Sequence, residues 1–315
     1  MITISVCMIV KDEESVLARC LDCAKKFADE IVIVDTGSTD ATVDIAKKYT
    51  EKVFRFQWVD DFSAARNYSF SKATTDYIMW LDADDIVDDE NVAKLLLLKE
   101  TLPTETDAVM MRYNTGFDET GRVTMSYFRE RLVKRSNHFQ WNEPVHEHIV
   151  VGGRIIQEEI AVIHGEKERA HSTRNLDIYA KNEANGKYFS SRALFYYARE
   201  LAAHGNTKKA VECYNEFLDR PDGWIEDRLR ARNDLSNCHH ILGDDKAAVC
   251  SILLGFEEAL PRAEACCHLG RLYLQQQDHK RAAFWYEIAL ISPKPEGWGF
   301  TYEDYEAYIP HMQLC

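Results

Sequence analysis

The sequence lacks the features that would place it in a membrane or on a nucleic acid. No apolar stretch approaches the roughly 20 residues that a membrane-spanning helix needs, and the chain opens on TISVCMIV without a charged leader. Lysine and arginine number 38 against 52 acidic residues, which gives a formal net charge of −14 without a basic stripe. We therefore expect no nucleic-acid partner, no integral membrane segment and a cytoplasmic location.

The nine cysteines lack the spacing of a disulfide framework, and their number is odd. Cys20 and Cys23 form a Cys-x-x-Cys pair within a helical pattern, but the sequence has no second pair that would complete a zinc site. Core packing is the favoured interpretation of this pair, and redox or metal chemistry is the alternative. We predict that the cysteines are reduced thiols of the core.

Two different periodicities divide the 315 residues. Over residues 1–171, short apolar runs alternate with helical patterns, which predicts an α/β domain. Over residues 172–315 the strand signal disappears, and turn residues recur at similar spacings, at Gly205, Gly243 and Gln277. This second part resembles tetratricopeptide repeats, in which small residues let paired helices pack closely, and a plain helical bundle is the alternative.

The end of the helical part has an unusual pattern. Residues 302–315, YEDYEAYIPHMQLC, resemble the start of another helix pair that does not close. We expect either a truncated chain or a partner that covers the apolar residues of this segment. The repeats could also mediate a homodimer.

Two acidic segments, IVIVDTGSTD at 31–40 and YIMWLDADD at 77–85, are the most informative motifs. Each apolar run ends in carboxylates, as a buried parallel strand does at the sheet edge where α/β folds bind ligands. The strand that ends in residues 8–14 should reach the same edge. Gly37 permits a tight turn there, and Asp35 could accept hydrogen bonds from a base or ribose or simply cap the turn.

Asp82, Asp84 and Asp85 place three carboxylates within four positions. Such crowding is costly unless a cation or several hydrogen-bond donors compensate the charge. Mg²⁺ and Mn²⁺ take one or two protein carboxylates and complete their coordination with diphosphate oxygens and water. The segment therefore predicts a metal site for a nucleoside diphosphate, with a solvated acidic loop as the alternative.

Taken together, TISVCMIVKDEE, IVIVDTGSTD, DDFSAARN and LDADD resemble the family-2 glycosyltransferases of the GT-A fold. The resemblance covers about residues 1–175. A GT-A domain followed by tetratricopeptide-like helices is similar to a bacterial subgroup that includes peptide S-glycosyltransferases of glycocin biosynthesis. We predict an α/β GT-A nucleotide-sugar domain at 1–171 and an all-α tetratricopeptide-like domain at 172–315.

The resemblance also implies roles for individual residues. Asp84 would bind the metal, Mn²⁺ or Mg²⁺, and His164 after the apolar IAVI run would complete the metal site from the opposite side. A satisfied polar group at a strand end is the alternative for this histidine. The segment at 10–12 departs from the Pro-x-Tyr-Asn that is common in the family. The donor-binding residues would be Val10, Glu13, Asp35, Arg66, Asp82 and Ala83.

A second polar cluster, WNEPVHEH at 141–148, holds the candidates for a catalytic base. An inverting transferase needs a carboxylate on the acceptor side that takes the proton of the incoming nucleophile. We favour Glu147, with Glu143 as the second choice. The alternative is a polar hairpin whose histidines lie on the surface.

The charged segment EKERAHSTRN at 166–175 lies between the two predicted domains. It could fold over the donor and bring positive charge to the diphosphate, or it could be a linker only. The residues that would meet the diphosphate are Arg169, His171 and Arg174.

The sequence thus predicts an inverting, metal-dependent transfer of a hexose from a UDP-sugar. A peptide or protein side chain is the preferred acceptor, because stacked helix pairs offer an extended surface to polypeptides. The alternatives are a polysaccharide or lipid-linked acceptor, and a noncatalytic scaffold whose α/β domain is a nucleotide-binding relic. Processive synthases that resemble the family carry a Gln-x-x-Arg-Trp motif and membrane helices, and this sequence has neither.

Overall fold

The first of two units, Met1–His171, is built on one mixed β-sheet. The structure is a computed structural model that describes residues 1–165, 172–294, 301–306 and 308–315. The strands of this unit are β1 (Ile4–Val10), β2 (Glu30–Asp35), β3 (Val53–Arg55), β4 (Tyr77–Trp80), β5 (Asp85–Ile86), β6 (Ala108–Phe117), β7 (Val123–Lys134), β8 (Trp141–Asn142), β9 (His148–Ile149) and β10 (Ile155–His164). The helices are α1 (Leu17–Ala24), α2 (Thr42–Ala46), α3 (Phe62–Phe70) and α4 (Asp89–Thr101), and a 3-10 turn spans Arg135–Asn137.

The order of the strands explains why the acidic segments meet. The sheet runs β3-β2-β1-β4-β7-β6-β10-β5, with β1 parallel to both β2 and β4. Val10 at the end of β1 is paired with Asp35 at the end of β2, and Leu81 after β4 donates its N–H to the carbonyl of Cys7. The carboxyl ends of these three strands therefore lie at one edge, as the apolar runs predict.

Beyond β4 the sheet continues through the antiparallel strand β7 to β6 and β10, which run parallel to each other. β7 pairs with both β4 and β6, and the short β5 pairs with the end of β10, where His164 lies opposite Asp85. β8 and β9 form a separate two-stranded ribbon. This arrangement brings the end of β10 to the acidic turn that follows β4.

The cysteines are free thiols, but not all of them lie in a core. Cys20 is buried in α1, where burial and then the charge of Asp85 raise the pKa of its thiol, while Cys23 is half-buried. Cys250 and Cys315 are exposed, so the prediction of core thiols is wrong for these two. Both lie in the helical part, at positions that neither neighbouring helices nor loops cover.

The second unit, Ser172–Cys315, is almost entirely helical in its described residues. Its helices are α5 (Arg174–Ala184), α6 (Ser191–Ala203), α7 (Thr207–Asp219), α8 (Ile225–Ile241), α9 (Asp245–Gly255), α10 (Ala263–Gln275), α11 (His279–Ile291), α12 (Glu303–Glu306) and α13 (Tyr308–Leu314), with a short strand β11 at Thr301–Tyr302. No helix among the described residues has the length and apolar content that crossing a bilayer requires.

Consecutive helices pack as pairs, α6 with α7, α8 with α9 and α10 with α11. The turns inside these pairs contain Gly205, Gly243 and Gln277, each with a positive φ. A small buried residue follows each turn, at Ala210, Ala248 and Ala282. The order of an α/β unit and an all-α unit of paired helices confirms the predicted fold class.

Gly270 provides a test of how closely the last of these pairs is packed. A Cβ atom at this position of α10 would lie 2.8 Å from Cζ of Tyr286 in α11. We expect Gly270→Ala to lower the free energy of unfolding by about 1–3 kcal/mol, because the buried ring has to move. Urea unfolding of the full chain, followed by circular dichroism, measures this change.

Gly255→Ala in α9 is the matched control. The nearest atom to its added Cβ, Cγ of Arg232, would lie at an ordinary contact distance of 3.5 Å. Replacing a helical glycine by alanine at such a position is expected to be neutral or to stabilise by up to about 1 kcal/mol. Equal effects of the two substitutions would contradict the close packing at Gly270.

Candidate functional site

The segment after β1 is locked to the segment after β2 by side chain to backbone hydrogen bonds. Oδ1 of Asp12 accepts from the N–H of Thr39 at 2.8 Å, and the N–H of Glu13 donates to Oγ1 of Thr42 at 2.7 Å. Asp12 itself has a positive φ of 53°, which these bonds hold in place. The two predicted donor-binding positions of this segment, Val10 and Glu13, are thus fixed beside the turn that contains Asp35.

Asp35 is buried and is bonded to its own turn. Its carboxylate accepts from the N–H of Ser38 at 2.9 Å and from the N–H of Gly37 at 3.3 Å. Gly37 has a φ of 112°, a conformation that side chains rarely adopt. The turn-capping role that we gave as the alternative is therefore present, and the role of Asp35 in donor binding stays a prediction.

Arg66 joins two residues to which the sequence analysis gives different roles. Its Nη2 donates to Oδ1 of Asp82 at 2.7 Å, and its Nε donates to Oε1 of Glu147 at 2.5 Å. The guanidinium carbon lies 5.1 Å from the ring centre of Trp80 and 4.7 Å from that of Trp141. A cation between two carboxylates and two indole rings is held firmly, so the trio Asp82–Arg66–Glu147 is a fixed unit.

The charges of this trio support one another. Burial works to raise the pKa of Asp82, but the positive charges of Arg66 and Arg131 and the hydrogen bond from Arg66 outweigh it and lower the pKa to about 2. Burial likewise works against the charged form of Arg66, and its two carboxylate partners keep the pKa above its ordinary value. Both groups are therefore ionised at neutral pH.

The loop that carries Glu147 is held by α3. The amide of Asn67 donates to the carbonyl of Trp141 at 3.0 Å and accepts from its N–H at 2.8 Å. The N–H of Phe62 donates to the carbonyl of Pro144 at 2.9 Å. Of the two candidate bases, Glu147 is the one that Arg66 holds beside Asp82.

Asp84, Asp85 and His164 form a group that could hold a metal ion, since ligand atoms of the three lie within 4.8 Å of one another. Nδ1 of His164 lies 3.7 Å from Oδ1 of Asp84 and 3.9 Å from Oδ1 of Asp85. Carboxylate oxygens with one imidazole nitrogen fit a divalent ion such as Mn²⁺ or Mg²⁺ whose other positions are taken by phosphate and water. The two predicted metal ligands, Asp84 and His164, are thus adjacent.

Two residues of this region are absent from the sequence-based assignment. Arg131 in β7 is fully buried and pairs with the fully buried Asp85, and Tyr113 in β6 donates its hydroxyl to the same carboxylate. Burial and then the charge of Asp85 raise the pKa of Tyr113, so its hydroxyl stays protonated. A signal was present in the sequence, because the Arg-Glu-Arg run at 129–131 interrupts an otherwise apolar strand.

The remaining predicted residues are placed as follows. Ala83 is buried within the acidic turn, between Asp82 and Asp84. Arg174 begins α5 in the second unit, so its predicted approach to the diphosphate stays a prediction. Arg169 and His171 lie outside the described residues.

Comparison with known proteins identifies a matching family model and two curated relatives. Residues 5–161 match the family model described as glycosyl transferase family 2. The chain is 35% identical over 148 residues to the SPbeta prophage-derived glycosyltransferase SunS of Bacillus subtilis, a match that covers 46% of this chain and 34% of SunS. A TPR repeat-containing protein of Synechococcus elongatus is 48% identical over 85 residues, which are 27% of this chain and 21% of that protein.

These matches span about a third or less of the length of both curated relatives. Among solved structures, S. aureus TarS 1-349 aligns over 89% of this chain and 89% of its own, with a TM-score of 0.38 and 14% identity. A similarity of that size carries no conclusion about this chain.

The ion pairs of Arg66 predict a pH-dependent loss of stability. We expect Arg66→Met to lower the free energy of unfolding at pH 7 by about 3 kcal/mol or more, because the nearly buried Glu147 loses its cation. The folded-state pKa of Asp82, about 2, lies below its unfolded value, so its ionisation stabilises the wild type above about pH 4. That contribution disappears as the pH falls toward 2. Urea unfolding should therefore show a smaller difference between wild type and variant at about pH 3.

Arg112→Met is the matched control in the same unit. Arg112 pairs with Glu159, and the two side chains are 38% and 63% exposed. Such a surface pair is expected to contribute about 1 kcal/mol or less. If Arg66→Met cost no more than Arg112→Met, the trio would not have the stabilising role argued above.

Proposed function

Because its α/β domain belongs to glycosyltransferase family 2, we propose that this chain transfers a hexose from a UDP-sugar to an acceptor with inversion at the anomeric carbon. The observation that carries the proposal is the trio Asp82–Arg66–Glu147, which lies beside the group of Asp84 and His164. A candidate base is thereby held next to the predicted diphosphate site. An inverting displacement needs this proximity of base and leaving group.

We assign the metal to Asp84 and His164. A bound Mn²⁺ or Mg²⁺ would neutralise charge that develops on the departing diphosphate. The donor nucleotide is assigned to the edge formed by the ends of β1, β2 and β4. The residues that we expect to contact it there are Val10, Glu13, Asp35, Asp82 and Ala83.

Glu147 is the proposed general base. It takes the proton of the acceptor hydroxyl or thiol while the oxygen or sulfur of that group forms a bond to the anomeric carbon. The bond between the anomeric carbon and the diphosphate oxygen breaks with its electron pair, and UDP leaves. The role of Arg66 in this step is to orient Glu147 through its hydrogen bond, in contrast to the direct nucleotide contact that the resemblance implies.

A peptide or protein side chain is the proposed acceptor. The support comes from the second unit, in which three helix pairs follow one another along the chain. Stacked helix pairs present extended surfaces that suit polypeptides better than single sugars. The TPR repeat-containing relative is consistent with such a unit.

The first prediction of this proposal concerns ligand binding. UDP with Mn²⁺ should raise the melting temperature of the wild type by about 5 °C or more when the ligand is present at about 100 times its dissociation constant. UDP alone should have a smaller effect. Asp84→Asn should remove the part of the shift that depends on Mn²⁺, because the ion loses a carboxylate ligand. A panel of UDP-sugars with and without Mn²⁺ also identifies the donor, and the absence of any nucleotide shift would overturn the proposal.

The second prediction separates the two candidate bases. Glu147→Gln should lower kcat for UDP release from the best-bound UDP-sugar by about 100-fold or more, because a neutral amide accepts no proton. Glu143→Gln, the matched control in the same loop, should change kcat by less than about tenfold. Both variants should keep the UDP and Mn²⁺ shift. If Glu143→Gln lowered kcat more than Glu147→Gln does, Glu143 would be the base. If neither the wild type nor the variants released UDP from any UDP-sugar, a noncatalytic scaffold would be favoured.

A further inference from the structure

A continuous chain of hydrogen bonds runs behind the acidic turn, from β7 through β6 to the end of β10. Nη1 of Arg131 donates to Oδ2 of Asp85 at 3.0 Å. The hydroxyl of Tyr113 donates to Oδ1 of the same carboxylate at 2.9 Å and lies 2.8 Å from Nδ1 of His164. The imidazole of a candidate metal ligand is thus tied to a buried ion pair.

Asp85 is poorly suited to be a ligand itself, although it belongs to the acidic group. It is fully buried, and both of its carboxylate oxygens are engaged. Oδ1 accepts from Tyr113, and Oδ2 accepts from Arg131 and, at 3.0 Å, from the N–H of Asp82. An ion at Asp85 would have to displace these donors and approach the charge of Arg131.

The hydrogen-bond directions determine which nitrogen of His164 can bind an ion. Tyr113 has one hydroxyl proton and donates it to Asp85, so the tyrosine oxygen accepts from His164. Nδ1 of His164 therefore carries hydrogen. In a neutral imidazole this places the lone pair on Nε2, and a metal that binds this tautomer would bind it through that nitrogen.

Arg131 anchors one end of these hydrogen bonds. Its guanidinium carbon lies 3.7 Å from the ring centre of Trp80 and 4.2 Å from that of Tyr113. Among the described residues, its Nε and Nη2 are buried without a hydrogen-bond partner. The position of Arg131 therefore depends on the two rings, on the carbonyl of Trp80 and on Asp85. The ion pair with this buried arginine holds the carboxylate of Asp85 where it accepts from Tyr113.

We propose that Tyr113 and Asp85 are positioning residues that orient His164 for metal binding through Nε2, and that Asp85 is not itself a ligand. The proposal rests on the metal site assigned under the proposed function. It divides the acidic group into one ligand, Asp84, and one carboxylate that acts only through Tyr113 and His164. Outer partners of this kind fix the tautomer and the ring orientation of a metal-binding histidine.

Tyr113→Phe tests the proposal, because it removes the hydroxyl and keeps the ring against Arg131. We expect Mn²⁺ to bind the complex with UDP about 10- to 100-fold more weakly than it binds the wild-type complex. The free Mn²⁺ signal in electron paramagnetic resonance measures this affinity. Tyr77→Phe is the matched control, since its buried hydroxyl donates to the carbonyl of Thr106 at 2.6 Å and lies at the opposite end of β4. This control should leave Mn²⁺ affinity unchanged.

A double-mutant cycle shows whether Tyr113 acts through His164. In a His164→Ala background, Tyr113→Phe should cause no further loss of Mn²⁺ affinity, because the group that it orients is gone. Electron spin echo modulation of the bound Mn²⁺ supplies a second readout. The ¹⁴N coupling of an imidazole ligand should be present in the wild type, altered in Tyr113→Phe and absent in His164→Ala.

These measurements distinguish a failure of this inference from a failure of the proposed function. If the wild type bound UDP but the complex with UDP bound no Mn²⁺, the metal assignment would be overturned, and this inference with it. A wild type that binds Mn²⁺ while Tyr113→Phe keeps the same affinity and the same ¹⁴N coupling would overturn the inference alone. An equal loss from Tyr113→Phe with and without His164 would also overturn it, since the hydroxyl would then act by another route.

Discussion

Two buried arginines that pack against one indole ring determine how negative charge is arranged at the ligand edge of the sheet. The guanidinium groups of Arg66 and Arg131 lie over Trp80, and each carries carboxylates that would be costly to bury without a cation. Arg66 pairs with Asp82 and Glu147, while Arg131 pairs with Asp85. Neither arginine pairs with Asp84. The arginines thus separate the carboxylates of one short turn into groups with different partners.

The edge itself could be predicted from the sequence, because its signal is local. Apolar runs that end in Asp35 and Asp82 read as buried parallel strands, and parallel strands bring their carboxyl ends together. The family resemblance, and not a local pattern, implied Asp84 and His164 as metal ligands, and the two side chains are neighbours. The pairing of Arg66 with Glu147 had no such signal, since 81 positions separate the two residues. Such a contact depends on how α3 and the loop after β8 pack, which no periodicity encodes.

The hydrogen bonds that link Arg131 through Asp85 and Tyr113 to His164 could not be predicted from the sequence either. Which residues of β6 lie beside the charged run of β7 depends on the register between these two strands. That register shifts between Val109 and Met110 and again near Gly116. Each shift moves every later side chain relative to its neighbour across the strands. The position of Tyr113 beside His164 depends likewise on the register between β6 and β10, which shifts between Glu158 and Ala161. The sequence pattern does not reveal these shifts.

The conformation of the loop that carries Glu147 depends on contacts with α3. Glu143 and His146 have φ values of 75° and 54°, an unfavourable conformation that persists only when surrounding contacts impose it. Helix α3 supplies several contacts to this loop, through its bonds to Trp141, Pro144 and Glu147. Glu130 of β7 also accepts from the N–H of Ile149. The same helix holds Asp82 through Arg66. Because the guanidinium of Arg66 donates to both Asp82 and Glu147, a change of charge at Asp82 alters the electrostatic field at Glu147. Under the proposed function, nucleotide binding at Asp82 and proton transfer at Glu147 would then be coupled electrostatically through Arg66.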